Sequence, residues 1–122
     1  MTISIVNVEE QYCDVFIGRK RNKKYHFGNP FSHIPNANAV IMNSREDAVA
    51  AFALWITGYE YTNVEQDRRK WILDNLQSLE EQSLGCFCAP LLCHGEVLKD
   101  IVEGQSFNDV AEKYSQYSIK DN

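Results

Sequence analysis

Three short stretches of this chain hold residue types from which a site can be built: Gly18-Arg19, Gly28-Asn29-Pro30-Phe31, and Cys86-Phe87-Cys88 followed by Cys93-His94-Gly95. Arg19 follows the β-branched and aromatic run Val15-Phe16-Ile17. A guanidinium at a strand end offers a planar fork of donors suited to phosphate or carboxylate. Arg19 and its neighbour Gly18 are therefore candidate ligand contacts, with a salt bridge from Arg19 to Asp14 or Glu96 as the structural alternative. In the second stretch Gly28 supplies a turn and Pro30 stiffens it. Asn29 can bond a base edge, a ribose or its own backbone. Phe27 and Phe31 can stack on a base or anchor the loop in the core, and the residues alone weigh these evenly.

Cys93, His94 and Gly95 open a predicted helix, where free backbone N–H groups attract anions. A thiol there has a lowered pKa and can act as a nucleophile; the alternative for Cys93 is a plain N-cap. His94 reads equally as a ligand-facing group and as a structural hydrogen-bond bridge. Gly95 is expected to leave room for an approaching anion. Glu96, in the first helical turn, is a candidate acid or base, as is Asp14, although dipole compensation alone accounts for Glu96.

Cys86, Cys88, Cys93 and His94 also form the pattern Cys-x-Cys-x4-Cys-His, four conceivable zinc ligands. Cys86 and Cys88 share one strand face, but the adjacent Cys93 and His94 point apart at a helix start. The expectation is that no zinc binds tightly, that no cofactor is required, and that Cys86 and Cys88 are small core residues. Three of the four cysteines fall within eight residues. That crowding suits a local site better than a disulfide framework.

Residues 3–8 and 15–17 read as strands, the second ending at Gly18, and residues 84–88 as a buried strand ended by Pro90. The stretch from Lys20 to Asn38 is rich in Gly, Pro and Asn and reads as one long loop. Ser44 with Asp47 predicts an N-cap, and Ala48, Ala51, Phe52, Trp55, Ile56 and Tyr59 then mark one apolar helix face. A second helix is predicted from Asn63 or Val64 to about Glu80. A third opens at Cys93 and closes at Gly104. Ser106 with Asp109 starts a short terminal helix, and the polar residues from about Ser115 are expected to fray. These elements predict an α/β fold, a small mainly parallel sheet flanked by helices, in a single domain over residues 1–122. In such sheets ligands bind beyond the carboxyl ends of strands, which is where Gly18-Arg19 and Cys88-Ala89-Pro90 fall.

The 122 residues are ordinary in composition, 44% hydrophobic and 24% charged, which excludes a disordered chain. No apolar run approaches the roughly 18 residues of a membrane span, and the start lacks the pattern of a signal peptide. A cytoplasmic protein without membrane contact is expected. The net charge is -5, although Arg19, Lys20, Arg21, Lys23 and Lys24 put five positive charges in six positions. An acidic body with one basic loop disfavours general nucleic-acid binding and permits a focused anion site. The loop reads equally as a solvated hairpin, with Lys20, Arg21, Lys23 and Lys24 exposed. Phosphate-loop, dinucleotide-fold, zinc-protease and serine-hydrolase motifs are all missing from the sequence.

The Cys-aromatic-Cys strand, its proline and the Cys-His-Gly helix start resemble a small bacterial and phage family, domain of unknown function 4326. So do Asp14-Val15-Phe16-Ile17-Gly18-Arg19 and Gly28-Asn29-Pro30-Phe31, in that order. The resemblance spans roughly residues 12–104 and implies a shared fold; it brings no established reaction. Three functions remain open. One is binding of a nucleotide or ADP-ribose-like phosphate ligand at the sheet edge by Gly18, Arg19, Phe27, Gly28, Asn29, Phe31 and Gly95. Another is an enzyme acting on a nucleotide or nucleoside through His94 or Cys93. The third is a protein-interaction or nucleic-acid accessory module that uses residues 19–24. A homo-oligomer is compatible with each.

Overall fold

The computed structural model describes residues 3–20, 23–35 and 39–119. Along the chain lie β1 (Ser4–Asn7), β2 (Val15–Phe16), β3 (Phe31–Ser32), β4 (Val40–Ile41) and α1 (Arg45–Ile56). They are followed by α2 (Gln66–Asn75), a 3-10 turn (Leu76–Leu79), β5 (Ser83–Cys86), α3 (His94–Val102) and α4 (Phe107–Ile119). The main sheet has the order β1-β5-β2 and is parallel throughout. Leu84 of the central strand lies between Ile5 and Val15 in register. Parallel pairing puts the carboxyl ends of β2 and β5 at one edge, so Gly18-Arg19 and Cys86-Phe87-Cys88 emerge side by side.

Two details hold this small sheet together. Asp14 Oδ2 accepts from the Ser83 amide (2.9 Å) and hydroxyl (3.2 Å), which registers β2 on β5. At Gly85 a Cβ would overlap Cys13 Sγ and Val8 Cγ1. The glycine thus lets the β1–β2 link cross the sheet at close range.

The predicted long loop contains structure. Phe31–Ser32, within it, pairs with Val40–Ile41, just after its end, as a second, two-stranded parallel sheet. Strands of two residues show no alternation, so their turn-rich surroundings mask them. Lys23 and Lys24 are exposed and Lys20 is half-buried, whereas Arg21 lies outside the described residues.

Ser44 caps α1 as predicted, its hydroxyl accepting the Asp47 amide at 3.0 Å. The helix differs from the expected one-sided pattern. Residues 47–53, Trp55 and Ile56 are all buried, because α3, α4, α2 and β3 pack around it. A helix apolar on nearly every side belongs at the centre of the fold. The second predicted helix is shorter than its periodicity suggested and ends in the 3-10 turn. Ser106 caps α4 through the Asp109 amide at 3.0 Å. That helix runs on through Ile119, past Ser115, where the polar composition predicted fraying. Val110, Ala111 and Tyr114 bury its inner face. The Tyr114 hydroxyl donates to Asp100 Oδ2 at 2.6 Å. Burial first, then Asp100, pushes the phenol pKa up, so it remains a donor.

Candidate functional site

At the carboxyl edge of the main sheet lies a cleft of about 200 Å³. Each of the three sequence motifs contributes to its wall: Gly18 and Arg19, Asn29 and Phe31, and the cysteine segment. The N-terminal residue of α1, Arg45, closes another side.

Arg19 has neither predicted acid as partner. Its Nη1 donates to the Asn29 carbonyl at 3.1 Å, which spans the first two motifs. Burial and then the nearby Arg68 charge lower its pKa, though an arginine stays cationic. Asn29 bonds protein on both sides: Nδ2 donates to the Ala48 carbonyl at 3.1 Å, and Oδ1 accepts the Phe31 amide at 2.9 Å. Phe31 lines the cleft from the core side, packed against Tyr61 at 4.7 Å between ring centroids. Phe27 is buried against Trp71 at 4.9 Å and is not among the cleft-lining residues. Gly28, also away from the lining, donates its amide to His26 Nδ1 (3.0 Å) and accepts Arg68 at its carbonyl (2.6 Å).

At the helix start Cys93 and His94 take the structural alternatives of the sequence reading. Cys93 caps α3, its Sγ accepting the Gly95 amide at 3.3 Å. His94 is buried, with Nε2 3.0 Å from the Ile17 carbonyl and 2.9 Å from the Phe27 carbonyl. Both partners are acceptors, so Nε2 carries the proton and Nδ1, 3.7 Å from Cys93 Sγ, does not. Burial holds the His94 pKa down at about 4, and the ring is neutral at pH 7. His94 therefore ties the end of β2 to the second motif. Gly95 also serves the fold: a Cβ there would lie 2.7 Å from Ile17 Cδ1 and 3.1 Å from Ile5 Cδ1. The room it makes is occupied by the sheet, and the expected anion path past it is closed. Glu96 is half-buried near Tyr114, whose pKa it helps to raise, and it does not line the cleft. Gly95→Val should accordingly destabilise the fold by about 1–3 kcal/mol, the usual cost of overpacking. An unchanged urea midpoint would return Gly95 to the ligand path.

The cysteine segment converges. Cys86 ends β5, Cys88 lies two residues on, and a turn from the Cys88 carbonyl to the Leu91 amide (2.8 Å) brings the chain back to Cys93. The sulfurs of Cys86, Cys88 and Cys93 all lie within 4.8 Å of one another. The expected divergence of Cys93 and His94 is not seen, since His94 Nδ1 lies 3.7 Å from Cys93 Sγ, but the mutually close set is the three sulfurs alone. Hydrogen bonds from the Cys86 and Cys93 thiols pull the Cys88 pKa far below the thiol range, and Arg45 adds to this. The same bonds push Cys86 and Cys93 up. All four cysteines are free thiols.

Three contributors escaped the sequence reading. Arg45 is hidden by its place in a helix N-terminus. Phe87 lies between two cysteines just past the end of β5; it lines the cleft and is 62% exposed. Arg68 is buried and donates to the carbonyls of His26 (3.0 Å) and Gly28 (2.6 Å), fastening the second motif to α2. Its i, i+4, i+8 spacing to Ile72 and Leu76 was the available signal of a buried face.

A parallel α/β domain with a cleft at the carboxyl ends of its strands is the class that fold and site define. The chain belongs to the family described as Domain of unknown function (DUF4326), whose model matches residues 5–104. No curated protein and no solved structure matches it. Among the described residues no helix is long and apolar enough to cross a membrane.

Proposed function

We propose that the domain binds a small phosphate-bearing ligand of the nucleotide class in this cleft. The observation that carries the reading is the convergence of Arg19 and Arg45, from distant parts of the chain, on one cleft in an otherwise acidic protein. Two guanidinium groups supply fixed donors and full charge for an anion. The ring for a base is Phe87, since Phe27 and Phe31 are committed to the core. Ile34, also exposed and cleft-lining, adds an apolar contact. A cleft of about 200 Å³ falls below the usual 300–1,000 Å³ of sites that enclose a drug-sized ligand. That size favours a mononucleotide over a wholly enclosed ADP-ribose-like molecule.

Binding is preferred to turnover because Cys93 caps a helix and the protonated nitrogen of His94 is occupied by two carbonyls. Calorimetry with a panel of mono- and dinucleotides tests the reading. Arg19→Ala and Arg45→Ala should each weaken binding by about 1–3 kcal/mol, the range for a lost charge-assisted hydrogen bond. Phe87→Ala should weaken nucleotides but leave inorganic phosphate unchanged. Equal binding by wild type and Arg19→Ala, or no binding of any phosphate compound, would reject the proposal in favour of a protein-interaction module.

A further inference from the structure

The three-thiol cluster has a chemistry that phosphate binding does not use. Three sulfurs within 4.8 Å of one another, from a strand end, the turn after it and a helix cap, form a preorganised donor set. A tetrahedral zinc ion with Zn–S bonds of about 2.3 Å needs sulfurs roughly 3.8 Å apart. The observed limit of 4.8 Å is within about 1 Å of that spacing.

Donor groups surround the cluster. The Gly95 amide donates to Cys93 Sγ at 3.3 Å. The Cys88 and Ala89 amides lie near the Cys86 sulfur, and the Arg45 guanidinium lies beside Cys88. N–H donors aimed at ligand atoms are what orients and tunes a metal-binding thiolate. Charge is balanced as well. Three thiolates around a divalent ion leave one negative charge, which Arg45 offsets. All three cysteines line the cleft, so the set is not sealed on every side.

We infer that Cys86, Cys88 and Cys93 form a binding site for a thiophilic metal ion, zinc(II) in the first instance, whose fourth position opens to the cleft. Each ligating sulfur that still carries a proton releases it to solvent as the metal–sulfur bond forms, and no electron is transferred. His94 stands outside the set, since only the sulfurs of Cys86, Cys88 and Cys93 all lie within 4.8 Å of one another. Three protein ligands with one open place distinguish such a site from a closed structural one. The inference is independent of the nucleotide reading, because the metal is titrated alone.

The test is a titration of reduced, chelator-stripped full-length protein with cobalt(II), followed by displacement with zinc(II). About one ion per chain should bind, with intense sulfur-to-cobalt charge-transfer absorption that zinc abolishes. Cys88→Ser should weaken zinc binding by more than the roughly 10–100-fold that loss of an outer hydrogen-bond partner costs. Cys13→Ser, outside the cluster, should bind as wild type does. Absence of charge-transfer absorption in the folded wild type overturns the inference, as does an identical spectrum in Cys88→Ser. If Cys88→Ser fails to fold, the wild-type spectrum decides the matter by itself.

Discussion

His94→Ala should lower folding stability by about 3–5 kcal/mol, the range for emptying a large buried side chain. The ring fills space against Phe52, with centroids 5.0 Å apart and planes at 71°. It also donates Nε2–H between the carbonyls of Ile17 and Phe27. Alanine would leave a cavity and two carbonyls without that donor. His94→Gln places an amide N–H near the same point and should recover part of the loss. Urea unfolding of the three proteins measures it. A histidine that merely faced a ligand would behave otherwise: alanine would then shift the unfolding midpoint little and change only binding. An unchanged midpoint would therefore remove the bridge between β2 and the second motif from the account.

Arg68→Ala should cost about 3 kcal/mol, with the loss concentrated in the Tyr25–Phe31 segment. Arg68 is only 3% exposed. Its Nη1 serves the carbonyls of His26 and Gly28, and its guanidinium lies 5.7 Å from the centre of the Trp55 ring. Charge-assisted bonds of this kind contribute about 1.5–3 kcal/mol each. The bond from Nε to Glu65 at 2.8 Å adds little, because the Glu65 side chain is 51% exposed and screened by solvent. Arg68→Lys should rescue poorly, since a single ammonium cannot reproduce the planar fork. Phe27 packs on Trp71, so indole fluorescence reports loosening of the loop alongside urea unfolding. Ligand affinity should fall too, although Arg68 does not line the cleft, because the loop it fastens carries Asn29, the partner of Arg19. Wild-type stability together with an unmoved indole spectrum would refute this role.

Local sequence was a sound guide wherever a short-range pattern governed the outcome. Ser44 and Ser106 cap helices as their spacing to Asp47 and Asp109 predicted. The runs at Val15 and Leu84 became strands because β-branched and apolar residues in short runs suit a buried sheet. Their shared edge followed from parallel pairing, and the three motifs resembled the family to which the chain belongs. The two-residue strands β3 and β4 were too short to leave a periodic trace. The all-round burial of α1 depended on partners as distant in sequence as α4.

The sequence by itself determined the α/β class, the order of the main elements and the edge of the sheet where the motifs meet. What only the tertiary structure decided was the direction each motif's side chains face. Gly95 could have faced a ligand or the sheet, and it faces Ile17 and Ile5. His94 could have faced a phosphate or a backbone, and it bridges two carbonyls. Arg45 joined Arg19 at the cleft, and Cys93 joined Cys86 and Cys88, through packing between segments far apart or folded back by a turn. The physical reason is that residue type and local spacing set which interactions a side chain can make. Which of them it does make depends on the neighbours that packing supplies, and those neighbours are not encoded within reach of the motif.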